Sequence, residues 1–102
     1  MVKAIDDSNL DDYLGLLHDD YVFVRHQSNQ KVSKSEWITI VTGMFDVMKK
    51  GKLDFKNNRY IYENEDILVI HNIGNFPDNT KEAIMAVHTK LNGKIIKTES
   101  GA

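Results

Sequence analysis

The pattern of hydrophobic and polar positions predicts a helical first half of the chain and a strand-rich second half. Four apolar residues recur at the spacing of one helix face: Leu10, Tyr13, Leu14 and Leu17. Ser8 precedes them and is expected to cap the helix. The segment 21–26 is β-branched and aromatic, which predicts a strand after this first helical unit.

A second, longer helix is predicted by its caps as well as by its apolar stripe. Ser33-Lys34-Ser35-Glu36 has the pattern of a capping box, in which the serine and the glutamate satisfy each other's backbone N–H groups. The helix that follows places four large apolar side chains on one face: Trp37, Val41, Met44 and Met48. Gly51 can adopt the left-handed conformation that ends the helix.

The remaining residues are predicted to form consecutive antiparallel strands. The candidate strands span residues 53–62, 67–76, 82–91 and 94–100, and the first of them is interrupted at Asn57-Asn58. Asn92-Gly93 between the last two is a strong hairpin signal, because both central residues of a type I′ turn need positive φ. The second half is therefore expected to be a single meandering sheet.

The Asn-Gly turn also predicts a register for the sheet. It pairs Leu91 with Lys94, and by continuation Thr89 with Ile96, Val87 with Thr98 and Met85 with Ser100. Across the preceding loop, we expect His71 opposite His88 and Ile73 opposite Ala86. Both resulting faces are apolar, although a half-open antiparallel sheet normally has one solvated side. One face is therefore expected to cover the helices and the other to meet a partner subunit.

Composition narrows the functional classes further. The chain has 102 residues, with 13 basic and 15 acidic side chains, so we expect a single domain over residues 1–102 and no nucleic-acid partner. The absence of cysteine excludes disulfides, thiolate metal sites and a cysteine nucleophile. The sequence contains no apolar run of membrane-spanning length, and its N-terminus has no signal-peptide core. We therefore expect a cytoplasmic protein without a cofactor and without a membrane partner.

Two stretches carry a resemblance to a known family. The segment 9–23, Asn-Leu-Asp-Asp-Tyr-Leu-Gly-Leu-Leu-His-Asp-Asp-Tyr-Val-Phe, and the ending Leu-Asn-Gly-Lys-Ile-Ile at 91–96 resemble nuclear transport factor 2-like proteins, the SnoaL-like or ketosteroid isomerase-type superfamily. The resemblance implies an α+β cone, in which a strongly curved antiparallel sheet wraps around N-terminal helices and leaves a pocket between them. Here the first helix is shortened, so the pocket is expected to be more open.

The resemblance also implies which residues line the pocket. On the helices, on the first meander strand and on the expected inner face of the sheet, these are Trp37, Met44, Met48, Phe55, Asn72, Met85, Val87, Thr89 and Thr98. Each has an alternative role in an ordinary core. The expected inner face carries no Asp or Glu within its strands, which argues against the carboxylate chemistry of the isomerases.

His26 and Arg25 are the candidate catalytic residues, since the corresponding strand end carries the base in enzymatic relatives. His26 could act as a base near neutral pH, and Arg25 could bind a carboxylate. Alternatively, both are surface residues at a strand end.

Many relatives of this type form homodimers through the outer sheet face. In this chain the expected interface residues are Val69, His71, Ile73, Ala86, His88 and Ile95. Two histidines facing each other there are too few to hold a metal ion, but their protonation is expected to weaken the dimer in acid.

Three functional hypotheses follow from the sequence. The first is a domain that binds a small apolar or amphipathic molecule in an apolar pocket between helices and sheet. The second is an isomerase or cyclase that uses His26 or Arg25. The third is a non-catalytic dimerisation module with a filled core.

Overall fold

The computed structural model describes residues 1–100, and it contains three helices and one curved, unclosed six-stranded sheet. The last two residues of the expected domain 1–102 lie outside the described part. The elements are α1 Val2–Asp6, α2 Leu10–Gly15, β1 Leu17–Arg25, β2 Gln30–Ser33, α3 Lys34–Lys49, β3 Asp54–Glu63, β4 Ile67–Asn75, β5 Lys81–Leu91 and β6 Lys94–Ser100. The α+β class expected from the sequence is confirmed.

The strands lie in the order β2-β1-β6-β5-β4-β3. Every neighbouring pair is antiparallel except β1 and β6, which run parallel. The sheet is therefore mixed. The last strand, β6, lies beside β1 and runs in the same direction. The short strand β2, which was not predicted from the sequence, extends the sheet beyond β1.

The capping signals of α3 lie where the sequence predicts, but α2 is shorter than expected, because Leu17 of the predicted helix stripe is the first residue of β1. The Ser33 hydroxyl accepts a hydrogen bond from the backbone N–H of Glu36, and the Glu36 carboxylate accepts one from the N–H of Ser33. Gly51 has φ +72° immediately after the helix, as expected. The cap of α2 is Asn9 rather than Ser8, because Ser8 itself has a positive φ of 51° in the turn between α1 and α2.

The core forms where the three helices pack on the β1 end of the sheet. Its buried apolar side chains are Ala4, Tyr13, Leu17, Tyr21, Val32, Trp37, Val41, Phe45, Met48, Leu53 and Ile95. On the part of the sheet farther from β1, Leu68 and Ile70 are buried on the same side. We call this covered side the inner face and the opposite side the outer face.

The observed register differs from the expected one by a single bulge in the β5–β6 hairpin. Leu91 pairs with Lys94, as the Asn-Gly turn predicts, but Lys90 pairs with Ile95 and Thr89 pairs with Lys97. The extra residue, Ile96, moves the rest of β6 by one position. His88 therefore lies opposite Thr98, and Ala86 opposite Ser100.

The β4–β5 connection is also tighter than expected. His71 pairs with Met85 and Leu68 pairs with His88, so His71 and His88 do not face each other. The turn at 76–80 closes by a hydrogen bond from the Phe76 N–H to the Thr80 carbonyl. The resulting pairing is displaced by an odd number of residues, which moves every side chain of β5 to the other face.

Six of the face assignments made from the sequence are consequently wrong. Ala86, His88 and Ile95 were expected on the outer face, but they lie on the inner face, where His88 and Ile95 are each 6% exposed. Met85, Val87 and Thr89 were expected on the inner face, but they share the outer face with the β4 residues Ile67, Val69 and His71. The assignments of Val69, His71, Ile73, Asn72 and Thr98 are unchanged.

Within residues 1–100, none of the helices is both long enough and apolar enough to span a bilayer.

Candidate functional site

A cleft lies where α1, the end of α3 and the start of β3 meet. Its volume is about 480 Å³, within the range that small-molecule sites occupy. Helix α1 contains only five residues and leaves this end of the sheet partly uncovered. The shortened first helix predicted from the sequence therefore borders the opening.

One side of the cleft is apolar. Ile5 of α1, Met48 of α3, and Leu53 and Phe55 at the start of β3 line it. Met48 and Leu53 are buried in the core, and Ile5 and Phe55 pack against that core while remaining half-buried. Gly51 permits the sharp turn that brings Leu53 back beside Met48, because its φ of +72° is open to glycine without strain. This wall can receive an apolar group.

The polar side of the cleft is organised by Asn58. Its Nδ2 donates to Asp6 Oδ1 at 3.1 Å and to the Phe55 carbonyl at 2.8 Å. Its Oδ1 accepts a hydrogen bond from Asn72 Nδ2 at 2.9 Å. Asn58 thus links the first helix to the sheet, and it holds the Asp6 carboxylate at the rim of the cleft.

The bulge in β3 makes this arrangement possible. The register between β3 and β4 shifts between Lys56 and Arg59, and Asn57 takes a φ of +55°. A residue added on one strand changes the direction of the side chains that follow it. The shift turns Asn58 toward Asn72 on the inner face.

The side-chain oxygen of Asn72 lacks a hydrogen-bond donor among the described residues. Its Oδ1 is buried and accepts no hydrogen bond within residues 1–100. A buried carbonyl-type oxygen without a donor costs about 1–3 kcal/mol. Asn72 does not itself line the cleft, and it is joined to the lining through Asn58.

Two other charged residues line the cleft, but their strand positions direct them elsewhere. Asp54 pairs with Asn75 and accepts a hydrogen bond from its Nδ2 at 2.6 Å. Lys56 pairs with Ile73 of the outer face, and paired residues of neighbouring strands project to the same side. The Asp6 carboxylate is consequently the charge that belongs to the inner side of the cleft.

A separate row of polar side chains crosses the core. Trp37 Nε1 donates to the Tyr13 hydroxyl at 3.0 Å, and His88 Nδ1 lies 2.8 Å from Thr98 Oγ1. The Tyr21 hydroxyl lies between these two pairs, close to Tyr13 and Thr98, but it makes no hydrogen bond of ordinary length. The helices and the sheet are thus joined by hydroxyl and ring groups that have almost no access to solvent.

Burial controls the ionisation of this row. Loss of solvent, together with the positive charge of the chain's N-terminal amine, lowers the pKa of His88 from 6.5 to about 4. Burial also raises the pKa of the Tyr13 and Tyr21 hydroxyls, with the Tyr13 hydroxyl adding to the effect at Tyr21. All three side chains are therefore neutral at neutral pH, and they act as hydrogen-bonding groups rather than as charges.

The nine predicted pocket residues do not line one common cavity. Met48 and Phe55 line the cleft, and Asn72 is joined to it through Asn58. Trp37 stacks on Phe23 at a ring distance of 4.1 Å, Met44 packs against the same core, and Thr98 belongs to the buried row. Met85, Val87 and Thr89 are on the outer face, so the geometric basis for placing them in a pocket is lost.

The two predicted catalytic residues lie at the exposed end of β1. His26 Nε2 is 2.9 Å from Glu99 Oε2, and its side chain is 58% exposed. This contact, with help from Lys97, lowers the pKa of Glu99. Arg25 is exposed beside it, and neither residue lines the cleft.

Sequence reasoning missed Asp6 and Asn58. Asp6 lies in a five-residue helix, which is too short to show an apolar period. The interruption at Asn57-Asn58 was visible in the sequence, but its direction depends on the bulge.

A second, more open depression of about 470 Å³ lies between β1 and the start of α3. It is bordered by Asp19 and Lys34, whose charged atoms are 3.7 Å apart. Because these two groups partner each other at the surface, the cleft at α1 is the stronger candidate for a ligand site.

Among residues 1–100, no group of three or more His, Cys, Asp or Glu side chains is arranged to hold a metal ion.

Comparison with known proteins supplies the fold family. No family model matches the sequence, and no curated protein matches it. Among solved structures, a nuclear transport factor 2-like protein of unknown function from Cytophaga hutchinsonii is similar with a TM-score of 0.74 and 16% identity, over 98% of this chain and 90% of that chain.

Two further structures share the fold. TerC, co-crystallised with polyporic acid, has a TM-score of 0.67 and 16% identity, over 96% of this chain and 82% of that chain. A proposed polyketide cyclase from Xanthomonas campestris pv. campestris has a TM-score of 0.67 and 12% identity, over 98% and 82% of the two chains. Identities this low establish architecture rather than activity. The chain therefore has the nuclear transport factor 2-like fold that its sequence resembles.

Proposed function

We propose that this protein is a SnoaL-like domain that binds a small organic molecule in the cleft between α1, the end of α3 and the start of β3. The observation that carries the proposal is the combination, in one cleft, of an apolar wall with the hydrogen-bonded pair Asp6 and Asn58. Ligand sites typically combine apolar lining with a few polar groups that fix orientation. This cleft has both.

The location of the cleft differs from the one expected from the sequence. The expected pocket reached Trp37 and Thr98, but these side chains are committed to partners within the molecule. Trp37 and Thr98 are therefore not expected to contact a ligand, and the proposed space for one lies at the end of the sheet that the short α1 leaves open. A bound ligand is accordingly expected to be small and to remain accessible to solvent.

The relatives support a ligand-binding role in general terms. TerC was crystallised with polyporic acid, and another structure of the same fold is a proposed polyketide cyclase. Polyporic acid is a small organic molecule, which is the class of ligand proposed here. The enzymatic alternative through His26 or Arg25 draws no support from the geometry, since both residues lie away from the cleft.

A fragment screen followed by amide chemical shifts in NMR spectra tests the proposal. We expect the shifts caused by binding fragments to cluster at Ile5, Leu53, Phe55 and Asn58. Ile5→Trp fills the cleft and should abolish them. Val2→Trp, on the same helix but outside the cleft lining, is the matched control and should retain them. Binding that survives in Ile5→Trp would contradict the proposed site.

The outer face suggests a second copy of the chain as partner. It carries Val69, Ile73 and Val87, and Met85 there is 46% exposed, which is unusual for a surface in water. We propose a homodimer through this face. Its interface would contain Met85 and Val87 rather than Ala86, His88 and Ile95, which face inward.

The cytoplasm is the proposed location, since no cysteine requires an oxidising compartment.

A further inference from the structure

We propose that the ligand of the cleft is an amphiphile with an ammonium head, and this inference rests on the proposed function. The head would bind at Asp6 and Asn58, and the apolar body would lie against Met48, Leu53 and Phe55. The inference depends on which polar groups face the cleft and on whether they accept or donate hydrogen bonds.

The polar groups at the Asp6 end of the cleft are mainly acceptors, and the Ser8 hydroxyl in the lining can accept as well as donate. One oxygen of the Asp6 carboxylate is bonded to Asn58, while the other makes no hydrogen bond within residues 1–100. The Asn72 Oδ1 is buried without a donor. Both Asn58 amide hydrogens already have acceptors, in Asp6 and in the Phe55 carbonyl. A ligand carboxylate would thus find few donors here, whereas an ammonium group supplies three.

The charge balance on this side of the sheet favours a cation as well. The side chains that line the cleft have a net negative charge, because the carboxylates of Asp6 and Asp54 outnumber the ammonium of Lys56. The C-terminal end of α3 reaches the cleft at Met48 and Gly51, and the carbonyl end of a helix has a partial negative charge. These contributions have the same sign and act at the same end of the cleft.

The apolar wall of the cleft favours a ligand that also has a hydrocarbon part. Met48 and Leu53 are buried, and Phe55 is half-buried, so their contact surface lies next to the acceptors. A ligand that satisfies both parts carries a hydrocarbon body directly beside its charged group. A simple inorganic cation or a fully polar amine would leave the wall in contact with water.

Three probes of equal chain length test the inference: hexylammonium, hexanol and hexanoate, each titrated into the protein at neutral pH and followed by NMR shifts of the cleft residues. We expect hexylammonium to bind most tightly and hexanoate least tightly. An ion pair at a partly exposed carboxylate corresponds to about a fivefold gain in affinity, so this is the expected ratio of hexylammonium to hexanol.

Asp6→Asn should remove the advantage of hexylammonium over hexanol while leaving hexanol affinity unchanged. Asp7→Asn is the matched control, since Asp7 is the next residue, exposed and outside the cleft lining, and it should keep the advantage. Equal affinities of the three probes, or a preference for hexanoate, would overturn this inference and leave the proposed binding function intact. Failure of all three probes and of the fragment screen would overturn both.

Discussion

His88 is a buried histidine, and its burial makes the stability of the protein depend on pH. Its ring lies on the inner face against Thr98, and its pKa falls from 6.5 to about 4 because the charged form would lose its solvent. The unfolded chain therefore binds a proton at higher pH than the folded chain does. The stability that neutral His88 provides is present above pH 6.5 and is lost as the pH falls from there toward 4.

Urea unfolding measured near pH 7 and pH 5 should show this loss. We expect His88 alone to lower the free energy of unfolding by about 2 kcal/mol between these conditions. His88→Gln, which has no titrating ring, should lack this part of the pH dependence. His71→Gln on the outer face is the control and should behave like the unchanged protein; equal pH dependence in all three would show that His88 does not titrate in this way.

The two buried tyrosines allow a paired test of hydrogen bonding in the core. Tyr13→Phe leaves the Trp37 N–H without its acceptor, so we expect the free energy of unfolding to fall by about 1–3 kcal/mol. Tyr21→Phe deletes a hydroxyl that lies near Tyr13 and Thr98 without a hydrogen bond of ordinary length, so we expect a change within about 0.5 kcal/mol. Chemical denaturation measures both. A large loss in Tyr21→Phe would mean that its hydroxyl has a partner, such as a buried water molecule.

At the scale of elements, the start of helix α3 depends on residues close together in the chain, whereas the strand register depends on contacts between distant residues. The capping box at Ser33 depends only on residues three apart, and it forms as the sequence predicts. The β5–β6 hairpin begins in the predicted register, but the bulge at Ile96 changes it within a few residues. Nothing in the local sequence marks Ile96 as the extra residue, since a bulge is decided by how neighbouring strands pack.

Removal of the helix cap should have a predictable cost. Ser33→Ala deletes the hydroxyl that accepts from Glu36 N–H, and we expect the free energy of unfolding to fall by about 1 kcal/mol. Ser35→Ala, two residues later, removes an exposed hydroxyl whose contact is with Ser33 Oγ at 3.2 Å, and it should change the free energy of unfolding by less than about 0.5 kcal/mol. Thermal and urea unfolding of the two variants make the comparison. A similar loss in both would indicate that helix propensity, rather than the cap, is responsible.

For the whole molecule, the register decides which side chains a partner subunit would meet. His71 and His88 were expected to face each other in a dimer interface, but they lie on opposite faces of the sheet. The expected weakening of the dimer in acid therefore loses its paired-histidine mechanism. The apolar character of the outer face remains, since Met85 and Val87 replace the residues that moved inward.

Charge placed on the outer face should separate the proposed dimer. Met85→Lys puts an ammonium group into an apolar interface, and we expect the dimer dissociation constant to rise at least about tenfold. Ile40→Lys on α3 is matched in exposure, at 44% against 46% for Met85, and should leave the dimer unchanged. Sedimentation velocity measures the association, and circular dichroism checks the fold. A protein that is monomeric before mutation would contradict the proposed interface.

The sequence by itself determined the α+β class, the order of the elements other than β2, the cap of α3 and the Asn-Gly turn. These depend on residues close together in the chain, whose spacing and turn conformations act locally. The tertiary structure decided the faces of β5, the parallel pairing of β1 with β6 and the Asp6–Asn58–Asn72 chain at the cleft. Each of these depends on contacts between distant segments, where an odd shift in pairing moves whole sets of side chains from one face to the other.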